Sequence, residues 1–221
     1  MYDFNFQPVF ASWDALLVGA LLTIRLSATA MVFGLGISIL GAVARTSHVR
    51  PLRMIVASYV EVIRNTPFIV QIYFIFFGLP AAGITLSPNT AALMALTINV
   101  GAYGTEIVRS GIEAIPRGQI EAGRALALSP FNIFRHVVIK PALRTIYPSL
   151  TSQFIYLMLM SSVVSVISAS DLASVGADIN AATFASFEVY LVLTAAYLAM
   201  ALGFSGVFAL IRRKLFTYPV S

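Results

Sequence analysis

The sequence predicts an all-α integral membrane protein of about five transmembrane helices, and three observations carry that expectation. First, 59% of the 221 residues are hydrophobic and only 10% are charged, with a mean hydropathy of +0.89. A soluble domain is roughly 25% charged, so this chain has too little polar surface to enclose its apolar residues in water. Second, the apolar residues fall into five continuous stretches. A helix rising about 1.5 Å per residue needs about 20 residues to cross about 30 Å of hydrocarbon. Third, the basic residues are confined to alternate connections. Continuous rather than alternating runs favour helices over a barrel, because lipid offers no partner to open backbone.

The first stretch runs from about Ala15 to Val43 and the second from about Met54 to Phe77. The third covers about Ala91 to Val108, the fourth Ile146 to Ile167 and the fifth Val189 to Ile211. Pro51 separates the first two, and the turn-rich GLPAAGITLSPN (Gly78 to Asn89) separates the second and third. The start carries Asp3 and no Lys or Arg in front of its apolar run, unlike a cleaved signal peptide. Length fits one helical membrane domain over residues 1–221.

Charge sets the expected orientation. Arg45, Arg50 and Arg53 lie between stretches one and two. Arg109, Arg117, Arg124, Arg135, Lys140 and Arg144 lie between three and four, and Arg212, Arg213 and Lys214 follow five. The opposite connections hold no Lys or Arg, while the second of them holds Asp171, Asp178 and Glu188. The positive-inside bias places the N-terminus outside and the C-terminus in the cytoplasm of a multi-pass protein. The same placement accounts for the net charge of +5 without a nucleic-acid partner.

The longest basic connection, about residues 109–145, contains Pro116, Pro130 and Pro141. Gly118 to Leu128 reads as a short helix with Ala122, Ala125 and Leu126 at helical spacing. Ser129 before Pro130 suits an N-cap with proline in the first turn. A second helix to about Ile139 then carries an apolar stripe of Phe131, Phe134, Val137 and Val138. The residues alone allow two readings of this bent hairpin: an amphipathic pair on the membrane surface, or a docking element for a cytoplasmic partner.

This segment resembles the EAA loop of bacterial ABC importer permeases. Glu121-Ala122-Gly123 stands where that family has E-A-A, Ala127 where it has Gly, and Val137-Val138-Ile139-Lys140-Pro141 where it has I-x-L-P with proline one place earlier. The departures keep residues small but bear on the sharpness of the turn. YVEVIRNTPFIVQIYFIFFGLP (Tyr59 to Pro80), INVGAYGTEIVRSGIEAIPRGQIEA (Ile98 to Ala122), FIYLMLMSSVVSVI (Phe154 to Ile167) and DLASVGADINAATF (Asp171 to Phe184) resemble, in order, core helices and the outer loop of the polar amino-acid branch of that family.

The resemblance implies a type I ABC importer-like fold with a cytoplasmic coupling-helix hairpin between the third and fourth crossings. It implies a permease subunit of the inner membrane that moves a polar amino acid or derivative. Its partners would be a second permease, identical or unlike, two copies of a cytoplasmic ATPase subunit and a periplasmic solute-binding protein. Glu121, Ala122, Gly123 and Ala127 would couple it to the ATPase, with Glu121 as an ion-pair anchor. ATP and Mg would be bound by the partner: this chain has no G-x-x-x-x-G-K-[ST] loop, so no cofactor and no catalytic role is expected of it. It has no cysteine, and its two histidines, His48 and His136, read as surface residues rather than bases or metal ligands.

Polar side chains within a bilayer are costly and mark pathways. Gln71, Asn99, Tyr103, Ser161 and Ser162 are the candidates for the substrate pathway; small polar groups bonding between helices is the alternative. Glu61 and Glu106 each precede an arginine by three residues, Arg64 and Arg109, which predicts two ion pairs along helix faces. Arg25 is expected to snorkel to the outer interface. Where the family often has Lys-Asp or Lys-Asn before the serines, this chain has Leu159 and Met160. The resemblance then implies that the partner permease holds that site, or that charge is not read there. A secondary transporter driven by an ion gradient is the alternative function; it would carry an internal repeat, and none is visible.

Overall fold

The structure, a computed structural model, describes residues 4–216; residues 1–3, with Asp3, and 217–221 of the expected domain lie outside it. The described chain is helical from end to end: α1 (Gln7–Ala11), α2 (Trp13–Thr46), α3 (Arg50–Arg64), α4 (Phe68–Ala82), α5 (Pro88–Glu113), α6 (Arg117–Ala125), α7 (Pro130–Ile167), α8 (Leu172–Thr183) and α9 (Ser186–Leu215). Four helices, α2, α5, α7 and α9, are long and apolar enough to cross a membrane, and α3 with α4 makes a fifth crossing that is bent by 109°.

The most extensive helix contact is between α2 and α5, and small residues make it possible. Ala30, Gly34, Ser38 and Ala42 recur every four residues on α2 and are all buried. A Cβ on Gly34 would collide with Val100, and one on Gly104 with Ser38. Between lipid-facing helices no hydrophobic drive operates, so close backbone approach and dispersion contacts must hold the pair. Ser38 also donates its hydroxyl to the Gly34 carbonyl at 2.7 Å, which spares it an unpaired buried donor. The main core joins Ala30 and Met31 of α2 to Ile72, Ala95, Leu96, Val100 and Leu157 of the helices around them. Phe154 of α7 packs against Phe204 and Phe208 of α9 with ring centroids 4.9 and 5.4 Å apart.

Long-range contacts gather the basic residues at one end of the bundle. Arg45 at the end of α2 reaches Glu106 of α5, a Cβ on Gly111 of α5 would collide with Ile146 of α7, and the Tyr147 hydroxyl donates to the Phe208 carbonyl of α9 at 2.9 Å. At the other end Asp171 caps α8 by accepting from the Ser174 N–H at 2.8 Å, and the Ser174 hydroxyl accepts from the Asp171 N–H. Tyr197 reaches the same carboxylate at 3.3 Å. Thr23 of α2 accepts from the Leu172 N–H at 3.0 Å, which ties this capped turn to the bundle. Burial pushes the Asp171 carboxyl above the usual carboxylate range, against the pull of these hydrogen bonds.

Three expectations are corrected. The second crossing is not one helix from Met54 to Phe77. It breaks at Asn65-Thr66-Pro67, because Pro67 has no N–H to continue the ladder and disfavours helix at Thr66. The fourth crossing is not a separate helix: α7 runs unbroken from Pro130 to Ile167, so the second arm of the hairpin and the fourth crossing are one helix. A π-helical stretch over Ile133–Val138 precedes Pro141 and accommodates the donor that this proline lacks. The outer segment after it is not merely a loop, since α8 fills most of it.

Candidate coupling helix and polar pathway

The basic end presents α6 between the end of α5 and the start of α7. Pro116 fixes the backbone at its start, and Ser129 caps α7 as expected, its hydroxyl accepting from the Asn132 N–H at 3.3 Å. Glu121 and Ala122 are exposed while Gly123 is buried. A Cβ on Gly123 would stand 3.0 Å from Cγ1 of Ile133, so glycine sets the distance between α6 and α7. Below this contact Ile115, Ile133, Val138 and Ala142 form a small buried cluster. Thus α6 is seated on packed side chains with its outer face open.

The turn after α6 is sharp despite Ala127. The Ala127 N–H donates to the Arg124 carbonyl at 2.9 Å and the Leu128 N–H to the Gly123 carbonyl at 3.1 Å. These two bonds make a Schellman C-cap, which needs its central residue left-handed; Ala127 has φ +55°. An alanine there bears the Cβ strain that glycine would avoid.

The polar candidates separate into two groups. Gln71 and Asn99 come together: Asn99 Nδ2 donates to Gln71 Oε1 at 3.2 Å. Gln71 also repairs the break between α3 and α4, its Nε2 lying 2.7 Å from the Ile63 carbonyl and 3.0 Å from that of Thr66. Asn65 Nδ2 and the Thr66 hydroxyl serve the Glu61 and Val62 carbonyls in the same way, each at 2.8 Å. Side chains therefore satisfy the Val62, Ile63 and Thr66 carbonyls, which the broken ladder leaves open, while the Glu61 carbonyl also keeps the Asn65 N–H at 3.1 Å. Tyr103, one turn along α5 from Asn99, lies under the Arg64 guanidinium, 5.3 Å from ring centroid to Cζ. Ser161 and Ser162 stand apart. Their hydroxyls donate to the Met158 and Leu159 carbonyls, each at 2.8 Å, within the 3₁₀ turn that ends α7.

Of the two expected ion pairs one forms. Arg109 binds Glu106 at 2.6 Å and Glu113 at 2.6 Å, and Arg45 approaches Glu106 at 3.5 Å. Arg64 turns to Tyr103, and Glu61 makes no ion pair among the described residues. Arg45, Glu61, Arg64, Asn65, Tyr103 and Glu106 line a cavity of about 420 Å³ at the basic end, beside the break. His48 and His136 are exposed. At the opposite end Arg25 shares a hollow with Asn89 and Ser170. Sequence reasoning missed the bonding role of Gln71 and Asn65; the Asn-Thr-Pro tripeptide inside an apolar run was the available signal.

Residues 16–217 match the family described as the binding-protein-dependent transport system inner membrane component. The chain is 37% identical over 169 residues to the L-cystine transport system permease protein TcyB of Bacillus subtilis (strain 168), covering 76% of this chain and 72% of that one. It is 33% identical over 215 residues to the glutamine transport system permease protein GlnP of Escherichia coli (strain K12), covering 96% and 98%. A chain from the crystal structure of an amino acid ABC transporter with histidines superposes with a TM-score of 0.90 at 34% identity, over 96% of this chain and 100% of that chain. The inward-facing MetNI methionine ABC transporter shares the fold, with a TM-score of 0.73 at 22% identity. With its five crossings and its seated short helix at the basic end, the chain belongs to the family of inner membrane components of binding-protein-dependent transport systems.

Proposed function

We propose that this chain forms half of the translocation pore of an ATP-driven importer of a polar amino acid or amino-acid derivative. The observation that carries this reading is α6: a short helix with an open outer face, fixed to α7 by the close approach of Gly123 to Ile133. A helix so mounted transmits a push as a rigid body. Glu121 is the anchor toward a cytoplasmic ATPase subunit, Ala122 and Gly123 allow close seating, and Ala127 sets the exit angle. The charge bias puts α6, the Glu106 cluster and the C-terminus in the cytoplasm and the Asp171 turn outside.

The rest of the machine follows from the same reading. A second permease, identical or unlike, covers the apolar flanks. Two ATPase subunits bind ATP and Mg, and a periplasmic solute-binding protein delivers the cargo to an inner membrane complex. The pathway runs beside the broken crossing, past Gln71 and Tyr103 and the 3₁₀ turn holding Ser161 and Ser162, with Asn99 buried behind Gln71 and bonded to it from α5. The cargo class rests on the likeness to the cystine and glutamine permeases and to the amino acid transporter.

Uptake into proteoliposomes tests it. With permease, ATPase and binding protein reconstituted, labelled glutamine or cystine should enter only when ATP and the binding protein are both present. Uptake by the permease alone on a proton or sodium gradient would overturn the reading.

A further inference from the structure

The break between α3 and α4 is held by side chains, and one of them belongs to α5. The Gln71 carboxamide bonds on both sides of the break, through the Ile63 and Thr66 carbonyls, and through its oxygen to Asn99. Its orientation is fixed. Three acceptors, the two carbonyls and the Thr66 hydroxyl at 2.9 Å, surround Nε2, so Oε1 must face α5 and Asn99 must donate. Asn99 is 3% exposed, and its own Oδ1 has no hydrogen-bond partner. A buried acceptor left unpaired is destabilising.

Two features make this junction able to take a second arrangement. Nε2 has two protons for three acceptors, so its bonds can redistribute without leaving the amide unpaired. The orphaned Asn99 Oδ1 would gain a donor if α4 turned so that Nε2 faced α5. Turning the amide would pair that oxygen but take the donor from the Ile63 and Thr66 carbonyls, so neither arrangement satisfies every group.

The same helix, α5, grips the other side of the break. The Tyr59 hydroxyl of α3 donates to the Ile98 carbonyl at 2.6 Å, and Arg64, the last residue of α3, sits on Tyr103. Ile98, Asn99 and Tyr103 thus hold both arms of the bent crossing. Four residues beyond its end α5 becomes α6, with Ile115 buried between them, so the joint has little slack.

We infer that the Gln71–Asn99 hydrogen bond is the link through which α5 sets the angle of the broken crossing, so that Asn99 is a positioning residue of the gate rather than a contact for the cargo. This rests on the permease reading above. The push on α6 travels along α5, Asn99 pulls on Gln71, and α4 rotates about Asn65-Thr66-Pro67 while Tyr59 and Arg64 hold α3 to the rod.

The test uses the complete reconstituted complex and reads ATP hydrolysed per solute imported. Asn99→Leu keeps the volume and removes the donor. Hydrolysis stimulated by the loaded binding protein should stay within about twofold of wild type while uptake falls at least tenfold. Asn99→Gln, which keeps an amide donor, should recover part of the uptake. An unchanged ratio overturns the inference, and so does a variant that alters cargo preference or half-saturation at an unchanged ratio. A second measurement leaves Gln71 and Asn99 unchanged. Spin labels at Val62 and Val70, exposed on either side of the break, should change separation by several ångströms when nucleotide binds. A fixed separation overturns the inference even if Asn99→Leu fails to fold. Wild-type complex that imports nothing with ATP would sink the permease reading itself; import with a fixed separation and an unchanged ratio would sink only this step.

Discussion

Ser38 occupies the place where a side chain on Gly104 would begin: its hydroxyl lies against the Gly104 backbone, and a Cβ there would collide with Ser38 Oγ. This contact sits in the α2–α5 interface, the widest in the chain, where Ser38 spends its donor on Gly34 and comes within 3.3–3.4 Å of the Val100 and Gly101 carbonyls. Helix association in lipid depends on such close approach. Gly104→Val should destabilise the fold by about 1–3 kcal/mol, the cost of overpacking. Thermal unfolding in nanodiscs measures it. Gly36→Ala, at a position with nothing within 4 Å, should be neutral or slightly stabilising, since alanine is the better helix former.

Ala127 carries a left-handed conformation that suits glycine. Ala127→Gly should stabilise the turn by less than about 1 kcal/mol, because relieved strain is partly offset by the greater freedom of glycine in the unfolded chain. Ala127→Val should cost more than about 1 kcal/mol, since a branched side chain suits that region worse. Opposite shifts in melting temperature for the two variants check the assignment of the strain.

Asp171 supplies the pH dependence. Its carboxyl is raised by burial, so folding takes up a proton. The stability this group contributes is full below the ordinary carboxylate value of about 4 and is lost as pH rises through its raised native value. Asp171→Asn keeps an N-cap acceptor but cannot ionise. Melting temperature followed from pH 4 to 8 should therefore fall less steeply for the variant than for the wild type. A parallel fall in both would remove Asp171 as the cause.

Much of this was legible in the sequence because lipid imposes strong rules. Five apolar runs gave five crossings, and the clustering of basic residues matches the end where Arg45 meets Glu106 and Tyr147 meets Phe208. Ser129-Pro130 announced its cap. What escaped was tertiary. Arg64-Asn65-Thr66-Pro67 is a short polar interruption between longer apolar stretches, so hydropathy averaged over a span concealed the break that Pro67 causes. Arg135, Lys140 and Arg144 suggested a boundary before the fourth crossing, yet a helix can continue out of the membrane, as α7 does. Glu61 and Arg64 are well spaced for pairing, but Tyr103, 39 residues farther along, offers Arg64 its ring. The serines that open the 3₁₀ turn of α7 find acceptors three residues back, at Met158 and Leu159, a local geometry that spacing does not reveal.

The central claim is that α6 faces the cytoplasm and is covered there by an ATPase. The chain has no cysteine, so Gln119→Cys places a single thiol on the exposed face of α6 and Ser170→Cys one at the opposite end. A membrane-impermeant thiol reagent should label residue 119 only in inside-out vesicles, and at least tenfold more slowly once the ATPase is bound. Residue 170 should label only from the outside. Labelling of residue 119 from the exterior, or at a rate indifferent to the ATPase, would contradict the account.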